Sequence, residues 1–201
     1  MQTLDSERER VLDLEPPRAV FLDRDGVINR HIPGDYVRTW DDFHFLPGAL
    51  EGLAVLAERV EHVVVVTNQQ GVGKGLMTKH ALTEIHQRMV AEVQRNRGRI
   101  DDVMFCPHLQ SMRCACRKPR PGMLLDWLGH HPEIMPRHCL MIGDSASDME
   151  LADAWPGGRA RSVLISDRLV RSSRADVVSV SLHDVALRLR RRKTRASGHE
   201  A

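Results

Sequence analysis

The sequence predicts an α/β protein in which a doubly wound parallel sheet carries helices on both faces. Short apolar runs rich in β-branched residues alternate along the chain with longer segments whose apolar residues recur at helical spacing. Polar residues gather directly after several of the apolar runs, at the edge where ligands of such sheets bind. The 201 residues, 42% of them hydrophobic, suffice for one well-buried domain rather than two.

The predicted strands are short runs of apolar and β-branched residues. The first, RAVFLD, ends in an acid, and the second, HVVVVTN, is almost entirely β-branched. Strands of a parallel sheet are buried on both faces, so continuous apolar runs are the expected pattern. The strands are predicted at residues 18–23, 62–68, 100–106, 139–144, 161–166 and 175–180.

The predicted helices lie between these strands. Pro47 suits the start of the first helix, Thr78 is a candidate N-cap for the second, and Gly98 is a candidate stop for it. The helices are predicted at residues 47–60, 78–98, 121–131, 146–155 and 181–191.

The net charge of +2 is unevenly distributed. Residues 188–201 carry six basic residues and one acidic residue, so the remainder is slightly acidic. We expect a flexible segment at 1–16, a folded domain at 17–187 and a disordered basic tail at 188–201. The acidic body and an aromatic content of 4% argue against a nucleic-acid partner.

We expect a cytoplasmic monomer without a membrane partner. The sequence has no apolar run of membrane-spanning length and no secretory signal. In the cytosol thiols stay reduced, and clustered cysteines there bind metal more often than they form disulfides.

The segment DRDGVIN places two carboxylates at the end of the first predicted strand. Asp23 and Asp25 lie two residues apart, so in extended chain they point to the same side, and Gly26 allows a sharp turn directly after them. Such a pair is costly to bury without a cation. One carboxylate can attack phosphorus and the other can transfer protons, while Mg²⁺ offsets the repulsion from the phosphate. This pattern indicates phosphoryl transfer.

Other polar residues follow the later strands. Asp144 ends the fourth predicted strand and suits a metal ligand, whereas Asp148 could equally be an acid that complements a helix dipole. Thr67 offers a hydroxyl donor, and Lys118 offers a positive charge for the transferring phosphoryl group.

Three of the four cysteines lie within one short segment that also contains a histidine. Cys106 and His108 form one pair and Cys114 and Cys116 form a second, with five residues between the pairs. Together they offer three thiolates and an imidazole, a complete set of ligands for structural zinc. A disulfide or buried free thiols are the weaker alternatives in a reducing compartment. The predicted zinc ligands are Cys106, His108, Cys114 and Cys116. Zinc would order the loop that ends at Arg117 and Lys118.

The segments FLDRDGVIN, VVTNQQG, CRKPRPGM and MIGDSASD resemble, in this order, the four motifs of the haloacid dehalogenase-like phosphohydrolases. The resemblance covers residues 18–155 and implies a Rossmann-like sheet and Mg²⁺-dependent hydrolysis of a phosphate monoester. The connections 24–46 and 69–77 are too short for the cap domain of the larger subclasses.

The same resemblance implies a role for each matching residue. It makes Asp23 the nucleophile, which carries an aspartyl-phosphate intermediate, and Asp25 the general acid and base. Thr67 and Lys118 would stabilise the phosphoryl group. The side chains of Asp23 and Asp144 and the backbone carbonyl of Asp25 would bind Mg²⁺.

The zinc loop narrows the resemblance to a capless branch of the family, which includes phosphatases of D-glycero-D-manno-heptose 1,7-bisphosphate and of histidinol phosphate. RDGVIN, GDYV and CRKPRPGM are closer to the heptose enzymes, which implies a small phosphorylated sugar as substrate and a place in carbohydrate metabolism. The implied substrate contacts are Gly34, Asp35, Tyr36, Asn68, Gln69 and Arg117.

Some features leave alternatives open. Ser145 stands where relatives of both kinds often carry a lysine or arginine, and the short spacing LQSMR also fits the histidinol-phosphate branch. A nucleic-acid 3′-phosphatase is a third alternative, mildly favoured by the basic tail. A zinc-loop binding module on a catalytically dead fold is a fourth, and the intact set of candidate catalytic residues argues against it.

Overall fold

The computed structural model describes residues 17–166 and 174–190 and confirms the predicted fold class. Six parallel strands form one sheet in the order β3-β2-β1-β4-β5-β6. The strands are β1 (Ala19–Leu22), β2 (His62–Asn68), β3 (Asp102–Cys106), β4 (Cys139–Gly143), β5 (Arg161–Ile165) and β6 (Val177–Ser179). The helices are α1 (Ala49–Ala57), α2 (Lys79–Arg95), α3 (Gly122–His130), α4 (Ala146–Asp153) and α5 (Leu182–Arg190), with short 3₁₀ turns at Gln110–Met112 and Pro136–His138.

The helices cover both faces of the sheet. Alternate residues of a strand point to opposite faces, so Val20 and Leu22 of β1 pack with α1, α2 and α5, while Ala19 and Phe21 pack with α3 and α4. All four residues of β1 are buried. Burial on both faces explains why the strands are continuous apolar runs.

The strand order reverses between β1 and β4, which are direct neighbours in the sheet. Leu22 of β1 is in register with Val65 of β2 and with Ile142 of β4. The carboxyl ends of these three strands therefore meet at one edge of the sheet, at the topological switch point where ligands of such folds bind.

The local signals in the sequence act as expected at α2. The Thr78 side chain accepts a hydrogen bond from the Ala81 backbone N–H, so Thr78 is the N-cap. The helix ends at Arg95, three residues before the predicted stop. Gly98 still closes it, because its N–H donates to the Val93 carbonyl, and Arg97 adopts a φ of 65°.

The predicted flexible segment 1–16 and most of the predicted basic tail lie outside the described residues. The tail prediction began too early, since residues 188–190 complete α5, where Arg188 pairs with Asp184 and Leu189 is buried. Between β1 and α1 the described chain contains no helix or extended strand, in keeping with the absence of a cap at that point. None of the described helices is both long and apolar enough to cross a membrane.

Candidate active site and candidate zinc centre

A cavity of about 230 Å³ lies at the carboxyl ends of β1, β2 and β4. The structure brings most of the predicted site residues to its wall. These are Asp23, Asp25, Asp35, Tyr36, Thr67, Asn68, Lys118 and Asp144, and Ser145, whose role the sequence left open, lies beside them. Residues from distant parts of the sequence thus meet in one place because their strands end at the same edge of the sheet.

The turn after β1 brings two acidic segments into close contact. Gly26 has a φ of 88°, and a Cβ at this position would lie 1.9 Å from Oδ2 of Asp144. Only glycine fits both the backbone conformation and this approach. Asp23, Asp144 and Asp148 each offer a carboxylate oxygen, and these oxygens lie within 4.8 Å of one another.

Lys118 is buried at the centre of this acidic group. Its Nζ donates to Oδ1 of Asp23 at 2.9 Å, to Oδ1 of Asp148 at 2.6 Å and to the Val66 carbonyl at 2.8 Å. Burial would lower the pKa of Lys118, but the charges of Asp148 and Asp23 raise it above its usual value, so the ammonium is charged. Lys118 therefore holds the Asp23 carboxylate from one side.

Asn68 fixes the backbone of that lysine. Its side chain accepts from the Lys118 N–H at 3.0 Å and donates to the Lys118 carbonyl at 3.1 Å. These two hydrogen bonds join the end of β2 to the end of the cysteine loop, so the position of Lys118 depends on both segments.

The acidic residues outnumber the cation that faces them. Burial raises the pKa of Asp23 to about 7, against the effect of Lys118, with further contributions from Asp148 and Asp144. Burial and Asp148 raise the pKa of Asp144 to about 6. Such carboxylates remain ionised at neutral pH when a further cation neutralises them, and hard oxygen donors are the ligands that Mg²⁺ prefers. The donor set of Asp23 and Asp144 therefore fits Mg²⁺.

Asp25 has a different environment from Asp23. Its carboxylate accepts from the Arg24 guanidinium, from Nδ2 of Asn29 at 2.8 Å and from Nε2 of Gln69 at 2.8 Å. Burial alone would raise the pKa of Asp25, but these donors together lower it below its ordinary value.

Thr67 lies near the end of β2 and lines the cavity, and its hydroxyl oxygen has one partner in the described part of the chain. This oxygen accepts from Nε2 of Gln69 at 3.0 Å, which leaves the hydroxyl proton to be donated elsewhere. The same Gln69 amide thus orients Thr67 and Asp25.

Three predicted substrate contacts lie away from the cavity wall. Gln69 is 1% exposed and sits beneath the wall, bonded to Asp25 and Thr67. Gly34 is exposed, with a φ of 75°, in the loop that carries Asp35 and Tyr36. Arg117 is half-buried, and its Nη1 is buried without a hydrogen-bond partner in the described part of the chain.

The sequence did not predict several residues of the site, and it left the role of Asp148 undecided. The ones that line the cavity are His31, Ile32, Val37 and Ser147. Asp148 is fully buried, and its Oδ2 accepts from the backbone N–H and the hydroxyl of Ser145. Its other oxygen accepts from Lys118, so Asp148 is the ion-pair partner of Lys118 as well as an acid in the first turn of α4. The sequence feature that could have indicated this role is its position four residues after Asp144, at the start of a predicted helix.

The predicted zinc ligands converge at the end of β3. Their neighbouring ligand atoms, three sulfurs and Nδ1 of the histidine, are 3.1–3.7 Å apart. Ligands of a tetrahedral zinc would be about 3.5–3.8 Å apart, given usual Zn–S and Zn–N lengths. All four cysteines are free thiols. The donor types and their convergence fit structural zinc, with three of the five distances shorter than these values. Cys139 lies outside this group and is buried in β4 as a core residue.

Comparison with known proteins gives the same family as the motifs. A family model described as HAD-hydrolase-like matches residues 115–165. A protein of Mycobacterium tuberculosis (strain ATCC 25618 / H37Rv), D-glycero-alpha-D-manno-heptose-1,7-bisphosphate 7-phosphatase, is 52% identical over 148 residues, which cover 73% of this chain and 78% of that protein. The D-glycero-beta-D-manno-heptose-1,7-bisphosphate 7-phosphatase of Rhodopseudomonas palustris is 40% identical and covers 79% of this chain and 94% of its own.

A solved structure shares the fold almost throughout. It is the D,D-heptose 1,7-bisphosphate phosphatase of B. bronchiseptica, complexed with magnesium and phosphate, with a TM-score of 0.77 and 29% identity over 87% of this chain and 98% of that one. A parallel sheet with an acidic, lysine-bearing site at its switch point suits a phosphoryl-transfer enzyme. The chain belongs to the haloacid dehalogenase-like phosphatases, and it is a phosphoric monoester hydrolase.

Proposed function

We propose that this chain removes the 7-phosphate from D-glycero-α-D-manno-heptose 1,7-bisphosphate. The observation that carries the proposal is the 52% identity to a relative named for this reaction on the α-anomer, combined with an acidic site whose residues match the family motifs one by one. The relatives named for the β-anomer are less similar, at 40% and 37% identity. The similarity therefore favours the α-anomer.

The site residues support a reaction in two steps. In the first, a carboxylate oxygen of Asp23 attacks phosphorus and the bond from phosphorus to the sugar oxygen breaks. Asp25 donates a proton to that oxygen. It must take this proton up as the substrate binds, because Arg24, Asn29 and Gln69 keep its carboxylate ionised in the free protein. In the second, Asp25 takes a proton from water, which attacks phosphorus and releases phosphate from Asp23. Bound Mg²⁺, held by Asp23 and Asp144, would neutralise the phosphate charge during both steps.

Lys118 and Thr67 have the positions for binding the transferring phosphoryl group. The Lys118 ammonium is 2.9 Å from the carboxylate of Asp23, which attacks phosphorus. A phosphoryl group that approaches Asp23 therefore brings its oxygens close to this ammonium. The free proton of the Thr67 hydroxyl can be donated to another of these oxygens. We propose no step in which Lys118 gives up its proton.

The rest of the substrate would lie against the loop that contains Gly34, Asp35 and Tyr36. Burial would raise the pKa of Tyr36, but a hydrogen bond from Gln70 and the charges of Lys74 and Arg117 lower it, so two cations lie near the Tyr36 hydroxyl. We propose that Arg117 contacts the second phosphate, which requires its guanidinium to turn from its buried position toward the cavity. We keep Asn68 as a substrate contact as well, through the face it presents to the cavity.

We propose that Cys106, His108, Cys114 and Cys116 bind one structural zinc per chain. The double variant Cys114→Ser and Cys116→Ser should lose the metal and raise KM more than it lowers kcat, since the loop presents Arg117 and Lys118 to the substrate. Elemental analysis of the purified protein and steady-state kinetics measure both effects. The control Cys139→Ala removes a thiol outside the loop and should keep one equivalent of zinc. A zinc-free wild-type protein with a disulfide in the loop contradicts the proposal.

Histidinol phosphate is the second candidate substrate, favoured by the short spacing within the cysteine loop. The experiment that decides between the candidates compares kcat/KM for both anomers of heptose 1,7-bisphosphate and for histidinol phosphate, with Mg²⁺ and with EDTA. We expect the α-anomer to give the largest value and EDTA to abolish turnover. A larger kcat/KM for histidinol phosphate would reject the heptose assignment.

A small substrate makes the basic tail dispensable. Truncation after Arg190 should leave kcat/KM within about twofold, well under the 1.4 kcal/mol that a tenfold change represents. A nucleic-acid end as substrate would instead use the tail for phosphate contacts, and truncation would then weaken binding and flatten its salt dependence. Kinetics of the two chain lengths at low and high salt distinguish these outcomes.

We also propose that the protein acts as a cytoplasmic monomer on this small sugar phosphate, with no membrane or nucleic-acid partner. None of the four cysteines forms a disulfide, which suits a reducing compartment. Sedimentation of the purified protein tests the oligomeric state.

A further inference from the structure

We propose that His86 is a positioning residue for the reaction: its imidazole accepts a hydrogen bond from Arg24 and thereby holds the Arg24 guanidinium against Asp25. The inference rests on the proposed role of Asp25 as the general acid and base. His86 lies on α2 and is separated from Arg24 by 62 residues of sequence.

Arg24 is a fully buried cation that faces two partners. Its Nη2 donates to both carboxylate oxygens of Asp25, at 2.8 and 2.9 Å, while its Nη1 lies 3.1 Å from Nε2 of His86. The guanidinium carbon is 5.9 Å from the centre of the Phe43 ring. Its side chain is 0% exposed, so water does not replace any of these contacts.

The chemistry of arginine determines the state of the histidine. A guanidinium has donors and no acceptor, so Nε2 of His86 must be the acceptor and the proton of the neutral ring lies on Nδ1. Burial and the charge of Arg24 lower the pKa of His86 to about 3, in agreement with a neutral ring. His86 is the partner of Nη1 in the described part of the chain. An apolar residue in its place would leave a buried guanidinium donor unsatisfied.

The geometry links this contact to the reaction. Arg24 donates hydrogen bonds to both oxygens of the Asp25 carboxylate, and the side-chain amides of Asn29 and Gln69 each donate one more. Without Nε2 of His86 as an acceptor, the Arg24 guanidinium can rotate away from its present contacts with Asp25. The Asp25 carboxylate would then no longer be oriented toward the oxygen of the leaving group. Because His86 does not line the substrate cavity, we expect kcat to change and KM to stay the same.

Two amide variants test this with almost no change in polarity. In His86→Gln the amide oxygen can reach the place of Nε2, whereas in His86→Asn it reaches only the place of Nδ1. We expect His86→Gln to keep kcat within about threefold of wild type. His86→Asn and the apolar His86→Leu should lower kcat at least about tenfold, with KM within about twofold.

The dependence on the leaving group separates positioning from general damage. A nitrophenolate needs little protonation to leave, so p-nitrophenyl phosphate should still phosphorylate Asp23 at close to the wild-type rate in His86→Asn. Release of phosphate, which needs Asp25 as a base, should be slow. Rapid mixing should therefore show a burst of one equivalent of nitrophenol in this variant. A sugar phosphate should show slow first turnover and no burst.

The outcomes that overturn the inference are distinct from failure of the proposed function. Wild-type protein that does not hydrolyse heptose bisphosphate rejects the proposed substrate, and the variants are then compared on any alkyl phosphate that wild type hydrolyses. Equal kcat in His86→Asn and wild type, equal losses in the Gln and Asn variants, or an equal loss of the first step with both leaving groups rejects the positioning role. If none of the three variants folds by circular dichroism, His86 is a structural residue and the inference is wrong.

Discussion

Replacing Asp23 with asparagine should abolish phosphatase activity, with a loss in kcat/KM of at least about 10⁴-fold, the scale on which removal of a nucleophile acts. The neutral amide is a poor nucleophile and a weaker metal ligand. The measurement is phosphate release with Mg²⁺ over a range of substrate concentrations from below to above KM.

The fold should survive this change. Burial and the neighbouring acids raise the pKa of Asp23 to about 7, so its ionised form is disfavoured in the metal-free protein. Lys118 keeps its contacts with Asp148 and Val66. We therefore expect the melting temperature in EDTA to be no lower than that of wild type.

Asp25→Asn is the matched control for Asp23→Asn. It should also lose turnover, but it keeps the nucleophile, so acid quenching after mixing with p-nitrophenyl phosphate should yield protein phosphorylated on Asp23. Near-normal activity of the Asp23 variant, or phosphorylation of it at another residue, contradicts the mechanism.

Replacing Asp148 with asparagine should cause the second large effect, on stability as well as on activity. Removing one partner of a buried ion pair costs about 3–5 kcal/mol, and we expect about 3 kcal/mol because Lys118 keeps Asp23. An amide has one oxygen where the carboxylate has two, so it presents donors either to Lys118 or to Ser145, both of which now donate to Asp148. Loss of orientation at Lys118 should lower kcat at least about tenfold.

Urea unfolding in EDTA measures the stability change, and Asp153→Asn is its control. Asp153 lies on the same helix, but its ion pair with Arg159 is exposed, so its replacement should cost no more than about 1 kcal/mol. Equal free energies of unfolding for the two variants would contradict the structural role assigned to Asp148.

The sheet could be predicted from the sequence because its signals are local. β2 begins and ends where the β-branched run HVVVVTN does, and Thr78 caps α2 as its side chain predicts. The ends of the strands could be assigned to one edge by the rule for parallel sheets alone. This is why residues as far apart as Asp23 and Asp144 could be assigned to one site.

The contacts beneath the site could not be predicted, since they depend on packing across the fold. Arg24 stands between two acids, where a charged residue is normally solvated, yet it is fully buried and bonded to His86. Gln69 lies within the second motif, and the resemblance predicts it as a substrate contact, but its side chain turns inward. The position of a residue along the chain predicts which strand it follows. It does not predict whether its side chain points into the cavity or into the protein interior.

The substrate assignment is tested most directly by ³¹P nuclear magnetic resonance of one reaction. The protein is incubated with D-glycero-α-D-manno-heptose 1,7-bisphosphate and Mg²⁺ while the two phosphate ester signals are followed separately. We predict that the signal of the 7-phosphate disappears, inorganic phosphate appears in equal amount, and the anomeric phosphate signal remains. Loss of the anomeric phosphate, or an unchanged spectrum with protein that hydrolyses histidinol phosphate, would contradict the account.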